Sequence, residues 1–127
     1  MLGKTIVMVE DNPDNRKIYT LLLRHYGYVV VEAEDAETGI ELVAARHPDL
    51  VLMDISLPRM DGFEATSLLK HDPRTADIPV VALTAHAFDE DRQRARDIGF
   101  DGYLVKPLEP RRVLEEVRRF LEDKEAA

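Results

Sequence analysis

Reactive polar side chains come directly after four short apolar runs of the chain. The residues at these positions are Glu10 and Asp11, Asp54, Thr84, and Lys106. Carboxylates gathered at one point repel one another, and a hard cation or an ammonium group offsets that repulsion. Carboxylate oxygens are also the ligands that Mg²⁺ prefers, with several waters retained. If the runs meet in space, these residue types predict an oxygen-only site for Mg²⁺ or Mn²⁺ beside a lysine.

Each of these residues also has an ordinary structural interpretation. An aspartate after a strand usually caps a helix, a threonine forms a turn, and a lysine is a solvated surface charge. For any one residue taken alone, the ordinary interpretation is the better one. The joint placement of all five at the ends of apolar runs favours a functional site instead.

The apolar runs themselves predict five β-strands. The runs are Thr5–Val9, Tyr28–Val31, Leu50–Met53, Pro79–Leu83 and Gly102–Val105. The third run is apolar at every position, which is typical of a strand that is buried on both faces of a sheet. It ends at Asp54.

Longer amphipathic stretches between these runs predict five helices. Asn12 suits the cap and Pro13 the first position of the first helix, which Gly27 ends. Its apolar stripe is predicted to comprise Ile18, Leu21, Leu22 and His25 or Tyr26. The later helices are predicted from Asp35 to before Pro48, after Gly62 to about Lys70, from Phe88 to Ile98, and from near Pro110 onward. The last has a stripe of Val113, Leu114, Val117, Phe120 and Leu121.

Strands that alternate with crossover helices imply an α/β fold of the (βα)5 type, with a parallel sheet covered by helices on both faces. In a doubly wound sheet of this kind, ligands bind beyond the carboxyl ends of the strands, where the strand order reverses. This rule brings the five reactive residues to one crevice.

Composition limits the class of protein. The chain has 127 residues, which suits one domain, and 17 basic against 25 acidic side chains give a net charge of −8. That acidic balance argues against nucleic-acid binding. No apolar stretch reaches the roughly 20 residues that span a bilayer, and the N-terminus shows no signal peptide. The absence of cysteine excludes disulfides and thiolate metal sites, and it favours a cytoplasmic location.

Four blocks of the sequence resemble the receiver domains of two-component response regulators. They are Glu10-Asp11-Asn12, Met53–Gly62, Leu83-Thr84-Ala85 and Lys106-Pro107. The resemblance covers about residues 4–121, and it is greatest to stand-alone receivers of the DivK-like kind and to receivers of hybrid histidine kinases. It implies the flavodoxin-like receiver fold, strand order 2-1-3-4-5, in a single domain over residues 1–127 with no output domain.

The resemblance also implies a phosphorelay function for the strand-end residues. Asp54 is the expected phosphoacceptor, which a phosphohistidine on a sensor histidine kinase or a histidine phosphotransfer protein phosphorylates. The product is an acyl phosphate that water later hydrolyses. The expected Mg²⁺ ligands are Asp11, Asp54 and the backbone carbonyl of Ser56, with Glu10 acting through water. Phosphoryl transfer depends mainly on such positioning and charge neutralisation.

The remaining residues of the family pattern are expected to form a switch. Lys106 pairs with Asp54 and then with the phosphoryl group, and the Lys106–Pro107 bond is expected to be cis. Thr84 donates its hydroxyl to a phosphoryl oxygen, and Tyr103 fills the space that Thr84 and its loop vacate. The phosphoryl group adds a charge of about −1.5 to −2. This charge is expected to shift the equilibrium between two conformations of the face built from the fourth helix, the fifth strand and the fifth helix.

Output is expected through protein contacts, with no nucleic acid and no membrane insertion. The first helix and the loops near Asp54 and Lys106 are expected to dock the phosphodonor, and the switching face to meet a downstream effector protein. Ser56 and His86 are expected to influence the lifetime of the acyl phosphate. The chain is not expected to be an enzyme beyond self-catalysed phosphotransfer and autodephosphorylation.

Two other functions stay open. A Mg-dependent phosphatase of the haloacid dehalogenase class also uses a strand-end aspartate, but it places an acid two residues on, where this chain has Ser56. A receiver fold that serves as an interaction module without phosphorylation is the other, and the complete set of reactive residues argues against it. The start at Met1 fits a free-standing gene product, and a receiver excised from a hybrid kinase also stays open.

Overall fold

The computed structural model describes residues 3–85 and 88–122, in which five strands alternate with five helices. The strands are β1 (Thr5–Val9), β2 (Val29–Ala33), β3 (Leu50–Asp54), β4 (Val80–Thr84) and β5 (Gly102–Val105). The helices are α1 (Pro13–His25), α2 (Ala36–Arg46), α3 (Gly62–His71), α4 (Asp89–Ile98) and α5 (Pro110–Leu121). The predicted (βα)5 alternation is confirmed, with β2 beginning and ending later than its apolar run suggested.

The five strands form one parallel sheet in the order β2-β1-β3-β4-β5. This confirms the order that the family resemblance implied. The strand order reverses between β1 and β3, so the crevice that binds ligands in such sheets lies at their carboxyl ends. The central strands β3 and β4 are buried at every position, as the unbroken apolar run of β3 predicted.

Alternate residues of the strands divide the interior into two apolar layers. One layer packs α1 and α5 against the sheet and includes Ile6, Met8, Leu50, Leu52, Val81 and Leu83. The other packs α2, α3 and α4 against the opposite face and includes Val7, Val9, Val51, Met53, Val80 and Ala82. Because both faces are covered, the reactive residues are left at the strand ends, where the sheet meets solvent.

Side-chain caps set where three of the helices begin. The Oδ1 atom of Asn12 accepts from the backbone N–H of Asn15 at 3.0 Å, with Pro13 as the first helical residue of α1. Asp35 and Asp61 cap α2 and α3 in the same way. These contacts satisfy N–H groups that the helices leave without partners, and they fix the ends of the loops that border the crevice.

The predicted apolar stripe of α1 is wrong except at Leu22, which is partly buried and packs against the core. Ile18 and Leu21 are 55% and 56% exposed, whereas Tyr19, Thr20 and Leu23 face the sheet. The predicted stripe began at Ile18, one position before the buried Tyr19, so most of its positions fall on the outward side of the helix. This helix therefore presents apolar side chains to solvent.

Within residues 3–85 and 88–122, none of the helices has the length and apolar character needed to cross a bilayer.

Candidate functional site

Three carboxylates meet at the reversal of strand order. Glu10 follows β1, Asp54 ends β3, and one carboxylate oxygen from each of Glu10, Asp11 and Asp54 lies within 4.8 Å of the others. Glu10 and Asp54 are buried, whereas Asp11 is exposed. The convergence results from the fold, because parallel strands bring their carboxyl ends to one edge. Oxygens at this spacing suit a single hard cation.

Lys106 lies beside the two buried carboxylates. Its Nζ atom donates to Oε1 of Glu10 at 2.7 Å and to Oδ2 of Asp54 at 3.0 Å. The backbone N–H of Lys106 donates to the carbonyl of Thr84 at 2.6 Å, and the bond to Pro107 is cis. One ammonium against three carboxylates leaves a negative surplus, which a divalent cation would neutralise.

The two buried carboxyl groups differ in their affinity for a proton. Burial and the neighbouring Asp54 raise the pKa of Glu10 to about 7. Burial also acts to raise the pKa of Asp54, but hydrogen bonds with Glu10, Lys106 and the N–H of Ser56 outweigh it and hold that pKa below its usual value. Burial lowers the pKa of Lys106, yet its bonds to both carboxylates raise it above the ordinary value. Of the pair, Asp54 is therefore the group that stays ionised.

The loop after β3 is folded tightly against the Asp54 carboxylate. The N–H of Ser56 donates to Oδ1 of Asp54 at 2.9 Å, and the N–H of Gly62 donates to the carbonyl of Ile55 at 2.9 Å. A Cβ atom at Gly62 would lie 2.3 Å from the carbonyl oxygen of Asp54. The loop closes only because this position has no side chain.

An arginine ties the same loop to the start of α2. Arg59 has a φ of 64°, in the left-handed region, and its guanidinium contacts Asp35 at 3.2 Å and Glu37 at 3.4 Å. The Arg59 side chain is 63% exposed, so each ion pair contributes little stability. Their effect is to hold the loop that carries Ser56 beside α2.

Thr84 and Tyr103 lie on neighbouring strands at different depths. Thr84 is buried at the end of β4, whereas Tyr103 is half-buried on β5, with the guanidinium carbon of Arg92 5.3 Å from its ring centre. A cation over an aromatic face is favourable, and it joins α4 to the ring. His86, which was expected to influence phosphate lifetime, lies outside the described residues.

Two partners of Glu10 were not predicted from the sequence. A lysine beside the three carboxylates was predicted, but the family pattern named only Asp54 as its partner, so the bond from Lys106 to Glu10 was not specified. The other is Arg16, whose Nη1 atom donates to the backbone carbonyl of Glu10 at 2.8 Å. A signal for Arg16 existed in the sequence: a basic side chain near the start of a helix opposes the preference of that end for acidic groups.

Comparison with known proteins decides the family. Residues 6–118 match the response regulator receiver domain. The chain belongs to the response regulator receiver family. The receiver is a signalling domain and not a member of a classical enzyme family, so the phosphatase alternative is not favoured.

Relatives and solved structures agree with this assignment. The receiver is 38% identical over 122 residues to the polar-differentiation response regulator DivK of Brucella ovis, covering 96% of this chain and 99% of that protein. Its structure is similar to that of the chemotaxis protein CheY4 of Vibrio cholerae, with a TM-score of 0.89 and 26% identity, covering 95% of this chain and 100% of that one.

A second structural neighbour is a receiver domain from a sensor histidine kinase of Pseudomonas aeruginosa. It has a TM-score of 0.86 and 32% identity, covering 93% of this chain and 97% of its own. That structure has a magnesium ion coordinated in its active site cleft. The expected resemblance to stand-alone and hybrid-kinase receivers is thereby confirmed at the level of the family.

Proposed function

We propose that this receiver takes a phosphoryl group from a phosphohistidine onto Asp54. The observation that carries the proposal is the Asp54 carboxylate, held ionised at the end of a central strand by Lys106 and the N–H of Ser56. An Asp54 oxygen attacks phosphorus as the bond from phosphorus to the donor's imidazole nitrogen breaks. For this transfer, the protein needs mainly to align the Asp54 oxygen with phosphorus and to neutralise the charge on the phosphoryl oxygens.

Mg²⁺ fits the donor set, which contains oxygen ligands and carries a negative surplus. We assign it to Asp11, Asp54 and the backbone carbonyl of Ser56, with Glu10 reached through water, and Mn²⁺ suits the same oxygens. When bound, the ion neutralises charge on the phosphoryl oxygens. Asp11 is the exposed member of the cluster, so a cation has access from solvent.

Lys106 and Thr84 are proposed to contact the phosphoryl group once it is attached. The ammonium of Lys106 already lies 3.0 Å from Oδ2 of Asp54, so it is close enough to pair with an oxygen of the new group. Thr84 ends the strand adjacent to β3, and its hydroxyl is proposed to donate to another phosphoryl oxygen. Movement of Thr84 would then alter the surroundings of Tyr103 and Arg92.

Loss of the phosphoryl group is proposed to occur by water attack within the same site. Ser56 is exposed two residues beyond Asp54, next to the path of the attacking water. His86 lies two residues beyond Thr84 in the sequence, and we propose that His86 and Ser56 together set the lifetime of the acyl phosphate. Phosphotransfer and this hydrolysis are the only reactions that we assign to the chain.

The phosphodonor is proposed to dock on α1. Ile18 and Leu21 are more than half exposed on this helix, and its first residue is two positions beyond Asp11. An apolar helical face beside the acceptor suits a helix bundle that carries a phosphohistidine, as in a sensor histidine kinase or a histidine phosphotransfer protein. That partner and the cysteine-free composition support a cytoplasmic location.

The output surface is proposed to be the face of α4, β5 and α5. Phe88 is 65% exposed at the start of α4, and Arg92 and Arg96 are exposed further along it. Alanine at Phe88, Arg92 or Arg96 is expected to weaken binding to a downstream effector protein while phosphorylation of Asp54 proceeds. Unchanged binding in all three variants would contradict this assignment.

The test of phosphorylation is intact mass after incubation with phosphoramidate or acetyl phosphate and Mg²⁺. One added phosphate is expected in the unsubstituted chain and none in Asp54→Asn. Asp14→Asn is the matched control, since it removes an exposed carboxylate of the first turn of α1 and should still give the adduct. An adduct in Asp54→Asn, or none in the unsubstituted chain, would contradict the proposal.

A further inference from the structure

The turn from β1 to α1 carries two of the three clustered carboxylates, and an arginine of α1 reaches back to hold it. Nη1 of Arg16 donates to the backbone carbonyl of Glu10 at 2.8 Å, and the Arg16 side chain is only 17% exposed. That carbonyl belongs to the peptide unit that joins Glu10 to Asp11. Holding this peptide unit in one orientation also sets the directions in which the Glu10 and Asp11 side chains leave the backbone.

The other end of the guanidinium is anchored in the neighbouring strand. Nε of Arg16 lies 3.3 Å from Oε1 of Glu32, which is part of β2. Further bonds tie the same turn, since the N–H of Glu10 donates to Ala33 at 3.0 Å and the N–H of Asn12 to Oε2 of Glu10 at 3.2 Å. Arg16 is thus the side chain that links this turn to the β2 edge of the sheet.

We propose that Arg16 is a positioning residue for the metal site. Clustered carboxylates repel one another, and Asp11 is exposed, so a loosely held turn would let Asp11 swing away from Asp54. Bringing Asp11 back beside Asp54 would then cost free energy, and the cation would bind more weakly. The inference rests on the proposed Mg²⁺ site, and it assigns to Arg16 no contact with the ion or with phosphate.

A purely structural role for Arg16 has a matched comparison in Arg24 of the same helix. Nη2 of Arg24 donates to the carbonyl of Val30 at 2.8 Å and lies 3.8 Å from Glu32. Both arginines therefore connect α1 to β2 and contact the same glutamate. They differ in that Val30 lies within β2, away from the turn with the carboxylates.

The experiment compares Arg16→Met with Arg24→Met, which keep most of the apolar stem and remove the donors. Mg²⁺ affinity is measured by isothermal titration calorimetry, and Tm is measured in EDTA. Arg16→Met is expected to bind Mg²⁺ about 10-fold more weakly, as is usual when a group that orients a metal ligand is lost. Arg24→Met is expected to keep the affinity of the unsubstituted chain, even where its Tm falls.

Equal Mg²⁺ affinity in Arg16→Met and the unsubstituted chain would overturn the inference, as would equal losses in both variants. Should Arg16→Met fail to fold, Arg16→Lys replaces it. Lysine lacks the planar guanidinium fork with which Arg16 contacts the Glu10 carbonyl and Glu32 together, so weaker Mg²⁺ binding is expected, and undiminished binding would overturn the role. If the unsubstituted chain binds no Mg²⁺, the proposed metal site itself fails, and Arg16 has no site to position.

Discussion

At the scale of the residue, the site is governed by one ammonium shared between two buried carboxylates. Lys106 contacts both Glu10 and Asp54, so its charge opposes a cation bound at the same oxygens. Charges in a partly buried site interact more strongly than they do in water. Lys106 is thus expected to have opposite effects on the proposed metal binding and on the proposed phosphoryl transfer.

The variant Lys106→Met separates these two effects. Removing the ammonium is expected to tighten Mg²⁺ binding, because the cluster loses its positive competitor. The same change is expected to slow phosphorylation of Asp54, because the phosphoryl oxygens lose a neutralising partner. Calorimetric Mg²⁺ affinity and the rate of adduct formation by intact mass check this. Parallel loss of both would show that Lys106 mainly maintains the fold.

The raised pKa of Glu10 predicts that the free energy of unfolding, measured in EDTA, depends on pH. Its pKa rises from 4.5 to about 7 on folding, so between these values the folded chain holds more protons than the unfolded chain. The free energy of unfolding attributable to Glu10 therefore falls as pH rises through this window, and it levels off above. Urea unfolding across this range checks it, with Glu10→Gln as the comparison. Identical slopes in the two proteins would contradict the assignment.

At the scale of the element, the loop between β3 and α3 depends on a position without a side chain. A Cβ at Gly62 would meet backbone atoms of Asp54 and Ile55 at 2.3 and 2.8 Å. Backbone cannot yield as a flexible side chain can, so Gly62→Ala must displace the end of β3 itself. A change in this loop is therefore expected to reach the Asp54 carboxylate.

Gly62→Ala is expected to lower stability by about 1–3 kcal/mol or more, as overpacking does, and to reduce phosphorylation of Asp54. Gly27→Ala is the control, because its φ is 94° and its Cβ would meet open space. Gly27→Ala should lower stability by about 1–2 kcal/mol, from its left-handed backbone, and leave phosphorylation intact. Urea unfolding and intact mass measure both. Normal phosphorylation in folded Gly62→Ala would contradict the coupling.

The elements themselves were largely predictable from local chemistry. Asn12 and Asp35 cap their helices where short polar side chains are expected to do so, and β3 is buried as its apolar run indicated. The inward face of α1 was not predictable from aliphatic spacing, because Tyr19 occupies a buried position. Side chains that are partly apolar leave such a face ambiguous until packing decides it.

At the scale of the whole molecule, the parallel sheet made the candidate site predictable. A strand order that reverses between β1 and β3 brings residues from distant parts of the chain to one edge, so Glu10, Asp11 and Asp54 meet. A basic residue near the start of α1 was the one signal for Arg16, but the acceptors of Arg16 and the bond from Lys106 to Glu10 were not predictable. They depend on how α1 packs against the sheet and on where the residue that follows β5 lies, which no short motif specifies.

Phosphorylation is expected to change one face of the molecule more than the others. Thr84 lies next to β5, and Arg92 joins α4 to the ring of Tyr103. Amide chemical shifts on phosphorylation are therefore expected to change in α4, β5 and α5, and little in α2 beyond its first turn. Two-dimensional NMR with and without phosphoramidate, and with Asp54→Asn as the control, checks this. Changes of similar size throughout α2 would contradict a localised switch.

Locating the phosphate shows whether Asp54 is the phosphoacceptor. Borohydride reduces an aspartyl phosphate to homoserine, and peptide mass spectrometry then identifies the residue that carried it. After treatment with phosphoramidate and Mg²⁺, homoserine is expected at position 54, and omission of Mg²⁺ should sharply reduce it. Homoserine at Asp11, or phosphate that remains on a serine, threonine or histidine with Asp54 unmodified, would contradict the account.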